Sequence, residues 1–316
     1  MPWDLLQVGG GLVLLFLGGE GLVRGSVSLA EEFGISKLVV GMVIVGFGTS
    51  APELLVSVQA ALLGSPEIAI GNVVGSNIAN ILLVIGVAGL IAPIANGDSA
   101  IRRDVIVMLG ASLGLLALLW IGVIGRYAGL GMLALLTLYL LSTYRIEKKR
   151  RASAFTQEAD VVDDLPLSAP KATVAVILGL ALLVLGADLM VEGATALALR
   201  FGVSEAVIGL TIVAVGTSLP ELATAIVASL RRHADVILAN VIGSNIFNVL
   251  CILGTTALVQ PIEVARKFAV IDGPIMVGVA LAALLMFFLM KRIGRPTALA
   301  LLLGYSGYTL LQAVGP

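Results

Sequence analysis

Apolar runs long enough to cross a bilayer follow one another from one end of this chain to the other. A hydrocarbon core about 30 Å thick takes roughly 20 apolar residues per helical crossing. Ten stretches qualify, near residues 4–30, 36–63, 67–92, 103–123, 127–145, 171–199, 204–230, 235–260, 268–290 and 296–314. In lipid, each crossing must satisfy its own backbone, which leaves helices or closed barrels. Barrel strands alternate in polarity, and the stretch from Ala175 to Leu185 is apolar without alternation. The expected fold class is therefore an all-α polytopic membrane protein with ten transmembrane helices. Composition agrees: 12% of residues are charged, against about 25% in soluble domains.

Several function classes fall away. The single cysteine, Cys251, lies in an apolar run, so no disulfide framework is possible, and the lone His233 beside Arg231 and Arg232 makes no metal site. No basic region precedes the first run, so no cleavable signal peptide is expected. The net charge of −1 points to no particular partner. The lipid bilayer is the expected surrounding, with no nucleic acid, no obligate protein partner and no cofactor.

Lys and Arg concentrate in short cytoplasmic loops. Here Arg102, Arg103, Arg145, Lys148, Lys149, Arg150, Arg151, Lys171, Arg231, Arg232, Lys291, Arg292 and Arg295 all fall on one side of the ten-span arrangement. The other side holds Arg126, Arg200, Arg266 and Lys267. Both termini are then outside and the central loop is cytoplasmic, in the cell membrane. That loop follows its basic stretch with Glu158, Asp160, Asp163 and Asp164 and reads as a solvated connector.

The chain also repeats itself. SKLVVGMVIVGFGTSAPELL from Ser36 matches SEAVIGLTIVAVGTSLPELA from Ser204, and GNVVGSNIANILLVIG from Gly71 matches ANVIGSNIFNVLCILG from Ala239. The offset is constant, 221 − 53 = 168 and 248 − 80 = 168, the mark of a duplicated unit. It sets Glu20 onto Asp188 and Phe33-Gly34 onto Phe201-Gly202. The expected organisation is a first five-helix repeat over residues 1–145, a cytoplasmic linker over 146–170 and a second five-helix repeat over 171–316. An odd number of crossings per unit makes the second copy inverted, and inverted repeats place a transport site near the midplane between them.

Two blocks in each half carry the chemistry. Glu53 and Glu221 are acids inside apolar spans, where a charge costs about 2.5–3.5 kcal/mol on insertion scales and marks function by default. Pro52 and Pro220 lack the N–H that the carbonyls of Gly48 and Gly216 would accept, and a broken helix at the midplane frees oxygens for cations. Thr49, Ser50, Ser76 and Asn80, with Thr217, Ser218, Ser244 and Asn248, add neutral oxygen donors suited to hard cations such as Ca2+. Two carboxylates neutralise one Ca2+, or more than one Na+, where unpaired charge is costly. Gly75, Gly243, Asn77 and Asn245 read as helix-packing residues. Glu20 and Arg24 are spaced for pairing within one helix; with Asp188 and Glu192 they either line a water-filled path or neutralise one another.

These blocks closely resemble the two α-repeats of the cation/Ca2+ exchanger superfamily, most nearly its sodium/calcium exchanger branch. The resemblance implies an antiporter exchanging Ca2+ for Na+ by alternating access. It implies that Glu53 and Glu221 are central ligands shared by both ions, with Thr49 and Thr217 beside them and Asn80 and Asn248 completing the centre. Flanking Na+ sites would use Ser50, Ser76, Ser218 and Ser244 with backbone oxygens near Gly46 and Ala214. The proton-coupled branch shows GNxxE where this chain has GTSxPE, and the potassium-dependent branch typically has Asp at the position of Asn248. A proton-coupled Ca2+ or cation antiporter is the alternative within transport. An ion channel needs a continuous pore, and an intramembrane enzyme would set the carboxylates beside a nucleophile–base pair or metal cluster.

Overall fold

The computed structural model describes residues 2–34, 37–95, 99–153, 167–202 and 214–314. The described chain is almost entirely helical. In order come α1 (Pro2–Glu32), α2 (Gly41–Thr49), α3 (Ala51–Leu62), α4 (Pro66–Ile91), α5 (Ser99–Ile121), α6 (Arg126–Ser153), α7 (Ala169–Arg200), α8 (Leu219–Leu230), α9 (Ala234–Val259), α10 (Phe268–Leu289) and α11 (Arg295–Val314). Prolines stand in the first turn of α3, α4, α7 and α8, where the missing N–H costs nothing. Gly34 and Gly202 follow α1 and α7 with φ of 63° and 78°, the left-handed helix stop that glycine adopts without strain.

Seven helices among the described residues are long and apolar enough to cross a bilayer, and eight when the bent pair α2–α3 counts as one. The span expected at 204–230 shows only its later part, since residues 203–213 lie outside the description, and α8 alone is short. In the connector expected at 146–170, α6 continues as helix to Ser153. Its acidic part, Glu158, Asp160, Asp163 and Asp164, lies outside the described residues, as do Ser36 and Ser204.

Two small sheets tie the halves together. β1 (Ile94–Ala95) pairs with β4 (Arg292–Ile293), and β2 (Val123–Ile124) pairs with β3 (Ile262–Glu263), both antiparallel. The connection after α4 thus meets the one after α10, and the connection after α5 meets the one after α9.

α1 and α7 form the closest long pairing. They run antiparallel, with Gly11 on Gly186, Gly18 on Gly179 and Gly193 on the Asp4 carbonyl. A Cβ built on Gly18 would lie 2.8 Å from Gly179 O, and one on Gly179 would lie 2.6 Å from Leu22 N. Those contacts are with backbone, which cannot move aside. The glycines recur every seven residues on each helix, which keeps them on one face, and small residues let helices associate in lipid.

At the centre lie α4 and α9, the most deeply buried of the spans. They carry the second motif block of each half, and α2, α3 and α8 pack around them.

Candidate functional site

Each first motif block sits at a helix break. α2 ends at Thr49, Ser50 stands at φ −86° and ψ 6°, and α3 starts at an angle of 44°. Ser218 has nearly the same conformation, φ −88° and ψ 5°, at the start of α8. The six residues Gly41–Gly46 before the first break are π-helical. The break puts Glu53 in the first turn of α3 and Glu221 in the first turn of α8. There the helix dipole favours negative charge.

Glu53 and Glu221 are each 0% exposed. Ser50 Oγ donates to Glu221 Oε1 at 3.2 Å, joining the break of one half to the acid of the other. Glu53 Oε1, Glu53 Oε2 and Glu221 Oε2 accept no hydrogen bond from the described residues. Burying ionised carboxylate oxygens without donors is very costly, so the arrangement fits a centre whose charge is balanced by cations.

Most of the expected neutral donors are buried as the two acids are. Ser76, Asn80, Ser218, Ser244 and Asn248 are buried, and Thr217 is half-buried. Ser76 Oγ, Ser218 Oγ, Asn80 Oδ1 and Asn248 Oδ1 have no partner among the described residues. Thr49 Oγ1 donates to Gly46 O at 3.3 Å and Asn240 Oδ1 at 3.2 Å. Gly46 O also accepts from Ser244 Oγ at 3.2 Å and from Ser50 N at 3.2 Å. Ala214 opens the helical turn Ala214–Gly216.

Asn80 and Asn248 open matching π-helical segments, Asn80–Val84 and Asn248–Leu253. Such segments are frequent at functional sites. Asn80 Nδ2 donates to Asn245 Oδ1 at 3.1 Å, and Asn248 Nδ2 donates to Asn77 Oδ1 at 3.0 Å. Each amide therefore donates to a packing residue while its oxygen has no partner among the described residues. Asn77 and Asn245, expected as packing residues, act as that framework. Gly243 is a close approach, its built Cβ 2.9 Å from Met42 Cγ, whereas Gly75 faces open space. The packing role expected of Gly75 therefore does not hold.

Two residues escaped the sequence reading. Asn72 Nδ2 donates to Glu53 O at 3.1 Å and Ser57 Oγ at 3.0 Å, fixing the first turn of α3. Asn240 accepts from Thr49. They are counterparts, since 240 − 72 = 168, and both lie inside the repeated GNVVGSN and ANVIGSN blocks. The repeat itself was the signal that could have found them. The pairing weighed for Glu20 with Arg24 gives way to another partner: Glu20 accepts from Arg231, with Nε at 3.3 Å and Nη2 also in contact.

No group of three or more His, Cys, Asp or Glu side chains lies together among the described residues. The set expected from the sequence, two carboxylates with neutral oxygen donors, is matched to hard ions.

Comparison with known proteins places the chain in a family. The family described as sodium/calcium exchanger protein matches residues 3–145 and 171–314. A putative antiporter, CaxA, from Alkalimonas amylolytica is 38% identical over 305 residues, covering 95% of this chain and 96% of that protein. The sodium/calcium exchanger MaX1 of Methanosarcina acetivorans is 31% identical, covering 95% of this chain and 96% of its own length. Among solved structures, the sodium-calcium exchanger NCX_Mj soaked with Na+ and Sr2+ superposes with a TM-score of 0.83 at 31% identity, covering 98% of each chain.

Proposed function

This chain belongs to the sodium/calcium exchanger family, and from that premise we propose that it is a secondary active antiporter that exchanges Ca2+ for Na+ by alternating access. Glu53 and Glu221 are the shared central ligands, and one Ca2+ balances both charges. Thr49, Thr217, Asn80 and Asn248 supply central neutral oxygens. Ser50, Ser76, Ser218 and Ser244, with backbone oxygens near Gly46 and Ala214, hold flanking Na+. The observation that carries this reading is the buried acid pair: three of its oxygens have no partner among the described residues, and Ser50 of one half donates to Glu221 of the other.

Ten crossings form two inverted five-helix repeats, residues 1–145 and 171–316, joined by the linker 146–170. The cross-pairing of β1 with β4 and of β2 with β3 supports inversion. It sets the third-to-fourth connection of each repeat against the fourth-to-fifth connection of the other, one pair on each face of the membrane. Both termini lie outside and the central loop is cytoplasmic. Ca2+ and Na+ are the substrates, and the chain is a transporter rather than an enzyme.

The test is radiolabelled Ca2+ uptake into proteoliposomes loaded in turn with Na+, K+ or protons. Uptake should follow the outward Na+ gradient. Uptake that follows only a proton gradient would replace this reading with a proton-coupled antiporter.

A further inference from the structure

The connections after α4 and after α10 meet where β1 sets Ala95 beside Arg292, and cations from both halves gather there. Arg102 stands in the first turn of α5, with its Cζ 5.5 Å from the ring centroid of Phe288 near the end of α10. Lys291 and Arg292 follow α10, and Arg295 opens α11. Arg103 is neutralised by Asp104 at 2.7 Å. The other four cations have no carboxylate partner among the described residues. Arg295 Nε donates to Leu90 O at 3.3 Å, but a carbonyl carries no net charge to offset it. Arg102 Nε is buried and has no acceptor among the described residues, so nothing there repays its desolvation. Phe288, Leu289 and Met290, at the same end of α10, are exposed. Unpaired cations thus border bare apolar side chains where a membrane-crossing helix ends.

The repeat supplies an internal control. The 168-residue offset puts Val270 where Arg102 stands, Val123 for Lys291, Ile124 for Arg292 and Tyr127 for Arg295. The matching strand pair, β2 with β3, therefore lacks all four cations. The cations on that side, Arg266 and Lys267, have acids beside them: Glu263 in the same connection and Glu67 across a groove that Lys267 also lines. Loop charge is enough to orient a chain during insertion. Orientation does not call for a half-buried guanidinium set against an aromatic ring with a donor unused.

We propose that Arg102, Lys291, Arg292 and Arg295 form a seat for an anionic phospholipid, with its phosphate on the cations and its acyl chains along Phe288 and Leu289. Guanidinium groups suit phosphate because their planar forks match its oxygens. Basic pockets between membrane helices on the cytoplasmic side take acidic headgroups, and the orientation proposed above puts this face in the cytoplasm. The exposed apolar end of α10 favours a lipid over a free phosphate, which has nothing to lay against it. The bound lipid touches residues of both halves at the β1–β4 pairing, so it holds them together there. The seat uses neither Glu53 nor Glu221 and stands whichever ion drives exchange.

The experiment titrates the purified protein, in a neutral detergent, with phosphatidylglycerol or phosphatidylcholine and counts retained lipid by native mass spectrometry. The wild type should retain phosphatidylglycerol in preference, and its thermal unfolding midpoint should rise as it does so. Lys291→Gln with Arg292→Gln, both at exposed positions, should weaken retention roughly tenfold or more, each cation at an anionic surface being worth about fivefold. Arg102→Gln should weaken it as well, and where that half-buried variant fails to fold the exposed pair carries the test. Arg126→Gln, on the opposite face, should leave retention unchanged. Glycerol phosphate at the same concentration should not raise the midpoint. Equal retention of the two lipids, unchanged retention in the Lys291–Arg292 variant, or an equal loss in Arg126→Gln overturns the seat. Equal protection by glycerol phosphate overturns the lipid and leaves a site for free phosphate.

Discussion

Asn77 and Asn245 hold each other's backbone across the two halves: Asn77 Nδ2 donates to Asn245 O at 3.3 Å, and Asn245 Nδ2 donates to Asn77 O at 3.2 Å. Their side-chain oxygens then accept from Asn248 and Asn80. The four amides form one closed network, and in a dry interior a network with one member missing is costly.

Replacing Asn77 with Ala strands the Asn248 side-chain amide and takes one of two donors from the Asn245 carbonyl, which still accepts from Asn248 N. The expected loss is about 1–3 kcal/mol, read as a lower thermal unfolding midpoint in detergent. Asn248 also loses the bond that orients its oxygen, so KM for Ca2+ should rise. Adding Asn245→Ala should cost less than a second full loss, because neighbours in one network are not additive. Full additivity would show that the amides act separately.

Glu53→Gln and Glu221→Gln should each abolish Ca2+ exchange while the protein still folds. Each removes one of the two charges proposed to balance Ca2+, and neither vacates volume at its buried position. Ca2+ uptake together with size-exclusion behaviour checks both halves of the statement. Wild-type uptake in either variant removes that residue from the site.

Gly18→Val should destabilise the protein by about 1–3 kcal/mol, the range for overpacking. Its new side chain meets Gly179 O and Leu183 N, both at 2.8 Å from the built Cβ. Gly75→Ala, with nothing within 4 Å of its built Cβ, should fold normally. Thermal melts of the two variants in parallel separate a steric requirement from a general dislike of substituted glycine.

The acids, the prolines and the 168-residue repeat were legible because each is an anomaly in an apolar span. Glu53 and Glu221 stand out by polarity alone, and the structure sets both at helix breaks beside Ser50 and Ser218. Partnership was not legible. Nothing in the sequence says that Asn77 faces Asn245 or that Glu20 reaches Arg231, 211 residues away, instead of Arg24. Nor does polarity mark the α1–α7 contact, because glycine at seven-residue spacing carries no charge to notice. Asn72 and Asn240 were hidden differently, as amides just ahead of the residues in their block that were given a role.

The basic residues from Arg145 to Arg151 should place the linker in the cytoplasm. A cysteine introduced at Ser153 should resist an impermeant thiol reagent added to intact cells, and one at Pro316 should react. The native Cys251 is partly buried within α9 and serves as the background to subtract. Labelling at Ser153 from outside would reverse the orientation.

Coupling is the most demanding prediction. Among the central ligands proposed here, Glu53 and Glu221 are the only ones that titrate, because Thr49, Thr217, Asn80 and Asn248 are neutral. With no third carboxylate to balance an extra monovalent ion, a Na+ gradient should drive Ca2+ uphill without K+. Protons should inhibit as pH falls, since protonating either acid removes half of the charge that Ca2+ needs. Na+ binding at the flanking serine oxygens would make more than two Na+ move per Ca2+, and net positive charge would then travel with Na+. One charge crossing 100 mV is worth about 2.3 kcal/mol, so an inside-negative potential should oppose Ca2+ uptake driven by outward Na+. The measurement is Ca2+ uptake at fixed pH without K+, with the potential set by a second ion and ionophore. Uptake indifferent to potential would limit the exchange to two Na+ per Ca2+ and leave the serine sites without a role in coupling.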